Sequence, residues 1–275
     1  MRIIDCITFF NEDMILDLRL NELDKYVDKF VIIELNIDHR GNKKKQNFNI
    51  EKFQKFKSKI CYLFYEDIDE KIINSIKFNR LAIEHFQRNL MLKIIKNFNE
   101  NDLIMISDCD EIPLMRNLEI SNKYETYIFI QKMFYYKFNL QLYKKKIIQI
   151  QLDWSGTKAS LNKNIKYPQQ LRDVQSIGRY NFIERFKTNM NLIMNGGWHF
   201  SFVFEPELII KKIQSYTHNE FDTATITDIN NIREAIKKKK DIFGRNIFIK
   251  KKKLDNTFPK YILDNQINFS KFIEK

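Results

Sequence analysis

Hydrophobic and polar residues alternate with two different periods over the first part of the chain. Residues 2–10 are β-branched and aromatic and end at Asn11-Glu12, which predicts a strand leading into the start of a helix. Apolar residues then recur with the spacing of one helix face, at Leu16, Leu20, Leu23 and Val27. The pattern continues with predicted strands at 30–33, 60–65 and 102–107, a polar loop at 36–49, a short helix near Phe53 and Phe56, and a long helix at 78–98.

Strands that alternate with helices in this way are typical of an α/β fold, in which a mainly parallel sheet is flanked by helices. The long predicted helix carries its apolar stripe at Ile83, Phe86, Leu90 and Ile94. In such folds, ligands bind at the carboxyl ends of the parallel strands. We therefore expect the functional residues to follow the predicted strands along the chain.

The pattern changes after Pro113. Residues 126–138 and 140–152 predict two antiparallel strands, so that a smaller antiparallel portion follows the parallel sheet. Pro206 begins a predicted helix, since proline is favoured in the first helical turn. We expect one domain over residues 1–225. Residues 226–275, which are polar and rich in lysine, are expected to form a C-terminal tail that packs on it.

The composition fits a folded protein. Of 275 residues 44% are hydrophobic, and only 6 are glycine and 4 proline, which excludes disordered and collagen-like classes. No uncharged apolar run approaches the ~20 residues that cross a bilayer, and Asp5 interrupts what would be the core of a signal peptide. We therefore expect a cytoplasmic location. The 3 cysteines are widely spaced and favour reduced thiols.

The net charge of +12 opens an alternative function. A basic surface is typical of proteins that bind nucleic acid or an anionic membrane surface without catalysing a reaction. Against this, the four lysine runs are spread along the chain instead of forming one stripe. We expect no specific nucleic-acid partner, whereas peripheral contact with a membrane stays open.

Candidate chemistry lies directly after the predicted strand 102–107, in the sequence Asp108-Cys109-Asp110-Glu111. Carboxylates two residues apart at a strand end can share a divalent cation, and the cation can in turn hold a diphosphate. This predicts Mn²⁺ or Mg²⁺ at Asp108 and Asp110. A second Asp-x-Asp, at residues 67–69, has no such context. P-loop and dinucleotide-binding motifs do not occur in the sequence.

Five segments together resemble glycosyltransferase family 17, the family of the bisecting β-1,4-N-acetylglucosaminyltransferases of N-glycans. In order, they are residues 4–12 (IDCITFFNE), 18–23 (LRLNEL), 106–113 (ISDCDEIP), 196–201 (GGWHFS) and 259–261 (PKY). The resemblance implies a GT-A fold, which is Rossmann-like. It also implies a metal-dependent, inverting transfer from a UDP-sugar, with N-acetylglucosamine as the sugar, to a saccharide acceptor that is a glycan or is linked to lipid. It implies nucleotide-sugar contacts at Phe10, Asn11, Glu12 and Asp108.

Four further side chains are candidates for the site, each with a structural alternative. Glu34 ends a predicted strand and can accept hydrogen bonds from a base or ribose, although solvated acids are common there. Arg88 can clamp phosphate or pair with Glu84 one turn away. Trp198 can stack on a sugar. His199 can bind a metal or can be a core histidine.

An inverting transfer needs one carboxylate to take the proton of the acceptor hydroxyl. The first half of the chain builds the nucleotide site, so we expect this base in the second half. Glu207 is our first choice because Pro206 fixes the helix start beside it, and Glu205 is the second. Asp153, before Trp154, is the third. Acids at a helix amino terminus also occur simply because they complement the helix dipole.

Overall fold

Two compact units make up the part of the chain that the computed structural model describes, which is residues 1–121, 123–145, 149–174, 189–217 and 219–275. The first unit contains Met1–Gln131 and Ser155–Gly197, and the second contains Lys132–Trp154 and Trp198–Lys275. The prediction of one domain over residues 1–225 with a tail at 226–275 stays a prediction.

The described strands are β1 (Ile3–Thr8), β2 (Lys29–Leu35), β3 (Ile60–Tyr65), β4 (Leu103–Asp108), β5 (Glu111–Pro113), β6 (Thr126–Tyr135), β7 (Leu140–Lys145), β8 (Gln149–Gln151), β9 (Asp153–Leu161), β10 (Met190–Ile193), β11 (Gly197–Ser201) and β12 (Ile247–Lys251). The α-helices are α1 (Asp13–Leu23), α2 (Glu70–Asn74), α3 (Ala82–Asn89), α4 (Leu92–Ile95), α5 (Pro168–Asp173), α6 (Pro206–Ser215), α7 (Ile229–Lys237) and α8 (Lys260–Asp264).

A mainly parallel sheet forms the centre of the first unit. Its strands lie in the order β3-β2-β1-β4, all parallel, and β9 continues the sheet antiparallel to β4. β10 pairs in parallel with residues 126–129 of β6. The α/β class with a mostly parallel sheet flanked by helices is confirmed, and the four predicted strands of the first half all form. Their carboxyl ends meet at one edge of the sheet, where ligands are expected.

Helices cover both faces of this sheet. Because successive side chains of a strand point to opposite faces, a strand such as β1 contacts helices on both sides. On one face, Ile4 and Cys6 of β1 pack in a buried cluster with Ile83 of α3 and Ile95 of α4. On the other face, Asp5 forms an ion pair with Arg19 of α1. The strands are therefore almost entirely apolar, as expected when both faces are buried.

The single long helix predicted at 78–98 is wrong, because the structure has α3 and α4 separated by Leu90 and Met91. The chain tightens at this point, where the Met91 amide bonds to the Arg88 carbonyl three residues back. The apolar stripe nevertheless continues across the break, since Leu90 and Met91 are both buried in the core.

The second unit is built on antiparallel strands and an aromatic core. β7 pairs antiparallel with both β12 and β8, and Phe134 of β6 pairs antiparallel with Gln141 of β7. The predicted antiparallel portion is present, but the prediction of one strand over residues 140–152 is wrong, because β7 and β8 are separate strands that pair with each other. Residues 146–148 of that prediction lie outside the described residues. β11 pairs in parallel with residues 132–135 of β6. The aromatic core of the second unit includes Phe134, Phe138, Phe200, Phe258 and Phe269.

Candidate functional site

Residues 108–111, which form the acidic turn after β4, are held in place by Arg19 of α1. The side chain of Arg19 is fully buried. Arg19 forms a bidentate ion pair with Asp5, at 2.6 and 2.7 Å. Its guanidinium also donates to the Glu111 carbonyl at 2.6 Å and to the Ser107 hydroxyl at 2.9 Å. Because one rigid donor group holds the Ser107 side chain before Asp108 and the Glu111 backbone after it, the turn is fixed to the end of the sheet.

Asp108 lies between two arginines. Its Oδ1 accepts from Arg88 Nη2 at 2.9 Å, and its Oδ2 lies 3.4 Å from Arg172 Nη2. Burial alone would raise the pKa of Asp108, but the charges of Arg172 and Arg88 outweigh it and lower the pKa to about 2. The side chain is still 37% exposed. Asp108 is therefore an ionised carboxylate that remains open on one side.

Arg172 of α5 is a site residue that the sequence reasoning missed. Its two terminal nitrogens bond to the two carboxylate oxygens of Glu111 at 2.8 and 2.9 Å, and Nη1 also donates to the Gly156 carbonyl at 2.7 Å. Glu111 is fully buried, and its Oε2 accepts the Asp108 amide at 3.0 Å. No local pattern indicates Arg172, because the two carboxylates that it contacts lie 61 and 64 residues earlier in the chain.

Arg88 makes both of the contacts that were weighed for it. It pairs with Glu84 at 2.9 Å on the same helix and also reaches Asp108. A further bond from Nη1 to the Gln169 side chain, at 2.5 Å, joins α3 to α5. Asn89 strengthens that junction, because its side-chain oxygen accepts the backbone N–H of Gln169 at 2.9 Å. Among the described residues, buried Arg88 Nε has no hydrogen-bond partner.

Asp110 follows Asp108 by two residues and is buried, with 5% exposure. In the described part of the chain, no group of three or more His, Cys, Asp or Glu side chains is placed to hold a metal ion. Mg²⁺ and similar ions are usually bound through one or two carboxylates, with substrate phosphates and water completing the shell. Asp108 and Asp110 fit that kind of site, since both are hard oxygen donors and Asp108 is ionised.

Lys158 of β9 adds a fourth basic group to this part of the first unit. It is 5% exposed, and its amine donates to the Arg172 carbonyl. Burial, together with the charge of Arg172, lowers its pKa to about 7. The lysine is thus poised between its charged and neutral forms near neutral pH.

At the end of β2, the Glu34 carboxylate is buried and its hydrogen bonds come from the protein. Oε1 accepts the Asn47 amide at 2.8 Å and the Lys44 amine, while Oε2 accepts the Phe48 amide at 3.0 Å and the Tyr62 hydroxyl at 2.7 Å. Burial, and then the hydrogen bond to Glu34, raises the pKa of Tyr62. Glu34 therefore anchors the loop at 36–49 to the sheet.

The predicted nucleotide-sugar residues after β1 lie beside this anchor. Glu12 Oε2 accepts the amides of Phe10 and Asn11, both at 2.9 Å, so the three residues form one tight turn. Asn47 links the two strand ends, because its side chain donates to the Phe10 carbonyl at 2.5 Å. The Lys44 amine lies 5.4 Å from the centre of the Phe10 ring. An aromatic ring and a cation therefore stand together at the carboxyl ends of β1 and β2.

The Gly196-Gly197 pair has a steric role in the first unit. Gly197 has φ +131°, and a Cβ there would lie 2.1 Å from the Ile112 carbonyl oxygen. The Leu114 amide bonds to the Gly196 carbonyl at 2.8 Å. The glycines thus let this backbone approach the chain that follows the acidic turn, where no side chain fits.

The two residues after the glycines belong to the second unit. Trp198 is 2% exposed, and its indole N–H donates to the Thr257 carbonyl at 3.0 Å. His199 is 9% exposed, with its ring 5.2 Å from the ring of Trp154. Asp153 is exposed, and its Oδ1 accepts from Gln151 at 2.5 Å.

The two glutamates at the start of α6 are also in the second unit. Glu207 is 62% exposed at its side chain and pairs with Arg233 of α7 at 2.9 Å. Glu205 is the N-cap residue of α6, without a side-chain capping bond, and lies 3.9 Å from Lys271. The structure therefore brings Arg88 to Asp108, and Phe10 to Glu12 and Glu34, within the first unit. Each of the three candidate bases belongs to the second unit and contacts a different side chain there.

An α/β unit with acidic and basic side chains at the carboxyl ends of its parallel strands is typical of enzymes that bind nucleotide-derived substrates. The family model for glycosyltransferase family 17 matches residues 1–269, nearly the whole chain. The chain belongs to this family, and it is a glycosyltransferase. Among curated proteins, none matches the chain significantly. No helix among the described residues has the length and hydrophobicity needed to cross a membrane.

Proposed function

We propose that this glycosyltransferase moves N-acetylglucosamine from a UDP-sugar to a saccharide acceptor, with inversion, in the presence of Mn²⁺ or Mg²⁺ at Asp108 and Asp110. The observation that carries the proposal is the acidic turn. It follows the central parallel strand β4, and its first carboxylate is kept ionised by Arg88 and Arg172. An ionised acidic turn at this place supports a site of the GT-A kind, where a diphosphate would be bound through a divalent cation.

The chain's own residues supply the positioning in this proposal. Asp108 and Asp110 would hold the metal, which would neutralise charge that builds on the leaving diphosphate. Arg172 and Arg88 fix the orientation of Asp108, as outer partners of metal ligands generally do. Glu111 is fully buried and bonds to Arg172 through both oxygens, whereas the Asp108 side chain is 37% exposed, which supports Asp108 and Asp110 over Glu111 as the ligands.

The donor's nucleotide would bind beside Phe10, at the carboxyl ends of β1 and β2. Phe10 and Lys44 offer a ring face and a cation for a base and a phosphate. Glu34 acts there by holding residues 44–48 in place, since its four hydrogen bonds come from the loop and from Tyr62.

Family membership makes the chain an enzyme, which decides against a non-catalytic basic protein. The proposed donor is tested by measuring hydrolysis and transfer with a panel of UDP-sugars, with Mn²⁺ and then with EDTA. We expect turnover of UDP-N-acetylglucosamine that EDTA abolishes. Turnover that persists in EDTA, or a strict preference for another sugar, would contradict the metal or the donor respectively.

The catalytic base is tested by three variants, Glu207→Gln, Glu205→Gln and Asp153→Asn. We expect Glu207→Gln to lower the turnover number by about two to four orders of magnitude, the usual contribution of a positioned general base, without weakening UDP binding. Arg233→Gln is the matched control, because it removes the partner of Glu207 and keeps the carboxylate. Near-normal turnover in Glu207→Gln, with a loss in one of the other two variants, would move the base to that residue.

A further inference from the structure

Trp154 and His199 form an aromatic pair in the second unit. Their ring centroids are 5.2 Å apart and their planes are inclined by 43°. His199 is 9% exposed and is fixed within β11, whereas Trp154 is 38% exposed. A buried ring thus packs against a large ring that is partly open to solvent. An exposed tryptophan of this kind offers a flat apolar surface for a ligand.

The two tryptophans of this chain differ sharply in their surroundings. Trp198 is 2% exposed and is tied to the Thr257 carbonyl, so its faces are used in packing. Successive residues of a strand point to opposite faces, which directs His199 away from Trp198 and toward Trp154. Of the two indoles, Trp154 is the one whose surface is accessible to a substrate.

We propose that Trp154 is a stacking platform for a pyranose ring of the saccharide acceptor, held in orientation by His199. The inference rests on the proposed function and adds an acceptor subsite to it. A pyranose ring presents a face of C–H groups, and an indole can bury that face while the sugar hydroxyls stay hydrogen-bonded to water or protein.

The acceptor is favoured over the donor because of where the candidate residues lie. The residues to which the proposed function assigns the nucleotide and the metal, which are Phe10, Lys44, Asp108 and Asp110, belong to the first unit. Trp154 belongs to the second unit, together with all three candidate bases, which act on the acceptor hydroxyl. An acceptor that reaches the base therefore binds to residues of the unit that contains Trp154.

Intrinsic fluorescence gives a direct test, because Trp154→Phe leaves Trp198 as the remaining tryptophan. The probes are N,N′-diacetylchitobiose, lactose and mannobiose. Each is titrated into the wild-type protein in the presence of UDP and Mn²⁺. We expect at least one disaccharide to change the emission of the wild type with saturation, and the change to disappear in Trp154→Phe. A saturable change that persists in Trp154→Phe, or no change with any of the three, would overturn the proposal.

Kinetics separate a substrate contact from a structural role. With the best acceptor of the three, we expect Trp154→Ala to raise the acceptor KM about tenfold, with a much smaller effect on kcat, and Trp154→Phe to restore most of the affinity. Phe78→Ala is the matched control, because Phe78 is an aromatic residue of the first unit with 93% exposure. Its acceptor KM should equal that of the wild type.

An acceptor KM that is unchanged in Trp154→Ala would overturn the inference, as would an equal rise in Phe78→Ala. Either result leaves the proposed function intact if the wild type still turns over the UDP-sugar. If the wild type turns over no UDP-sugar at all, the proposed function fails as well, and the two failures are distinguished by that assay.

Discussion

Arg172 links buried Glu111 to Asp108, one of the two proposed metal ligands. Its planar fork matches the two oxygens of Glu111, and the same group lies within 3.4 Å of Asp108. Lysine would keep the charge but could not form the bidentate contact. The geometry of Asp108 therefore depends on an arginine at this position.

We expect Arg172→Lys to lower kcat/KM for transfer by about 10- to 100-fold, the usual effect of losing an outer partner of a metal ligand. Because Glu111 loses a partner while buried, the melting temperature should also fall. The measurement is a transfer assay over a range of Mn²⁺ concentrations, in which the variant should need more metal for half-maximal rate. Arg116→Lys, at an exposed arginine, is the control. Wild-type metal dependence in Arg172→Lys would contradict the proposed role.

Lys158 gives a prediction about pH. Arg172 and Arg88 disfavour its charge, Glu111 and Asp173 favour it, and burial with Arg172 dominates, which lowers the pKa to about 7. The unfolded chain, with an ordinary lysine pKa, binds more protons than the folded chain between pH 7 and that value. Stability attributable to Lys158 must therefore rise as the pH increases from about 7 to about 10.

Urea unfolding of the wild type and of Lys158→Met across this range measures the effect. We expect the unfolding free energy of the wild type to rise relative to the variant by about 1–3 kcal/mol between pH 7 and 10. Comparison with the variant cancels the contributions of all other titrating groups. Parallel curves for the two proteins would contradict a lowered pKa of Lys158 in the folded protein.

Site residues that could be predicted from the sequence differ from those that could not in the number of residues that separate them from their partners along the chain. Asp108 and Asp110 stand out because they directly follow an apolar strand, and Arg88 because it lies on the polar side of the helix predicted before that strand. Arg19 and Arg172 are equally involved, but Arg172 reaches partners 61 and 64 residues away and Arg19 reaches the Glu111 carbonyl 92 residues away. Such contacts are created by the folded chain and leave no periodic pattern.

At the scale of elements, the loop between β2 and β3 is held by one buried carboxylate. Glu34 accepts two backbone amides of residues 47–48, the Lys44 amine and the Tyr62 hydroxyl. A neutral amide at this position would leave at least one of these donors facing another donor. Buried groups left without a partner cost about 1–3 kcal/mol each.

We therefore expect Glu34→Gln to destabilise the protein by about 2–3 kcal/mol and to increase amide exchange in residues 44–48. Hydrogen exchange and urea unfolding measure the two effects. Glu66→Gln is the matched control, because Glu66 follows the neighbouring strand β3 and is exposed. If the amides of residues 44–48 exchange as slowly in Glu34→Gln as in the wild type, Glu34 does not anchor this loop.

The elements that sequence predicted well are the apolar strands of the first half, because both of their faces are buried and their pattern is continuous. The tight break between α3 and α4 escaped prediction, since the apolar stripe runs through it. β12 was missed for a different reason. Its Ile-Phe-Ile core is followed by the lysine run at 250–253, so the local composition resembles a solvated tail. Pairing with β7 decides its structure.

At the scale of the whole molecule, the family match extends over residues 1–269 and so includes most of the segment predicted as a tail. The described part of that segment contributes α7, β12 and α8 to the second unit. Its Thr257 carbonyl accepts the Trp198 indole, within one of the segments on which the family resemblance rests. The C-terminal residues therefore belong to the fold of the second unit.

The most direct test of the proposed site is calorimetric titration of the wild-type protein with UDP, in Mn²⁺ and then in EDTA. The proposal predicts saturable binding with Mn²⁺ that weakens by about tenfold or more in EDTA, because Asp108 and Asp110 would hold a cation that neutralises the charge of the diphosphate. Asp110→Asn should lose the same binding even with Mn²⁺. Asp67→Asn, in the second Asp-x-Asp of the chain, should bind as the wild type does. Equal affinity with and without metal, or no binding of UDP at all, would contradict the account.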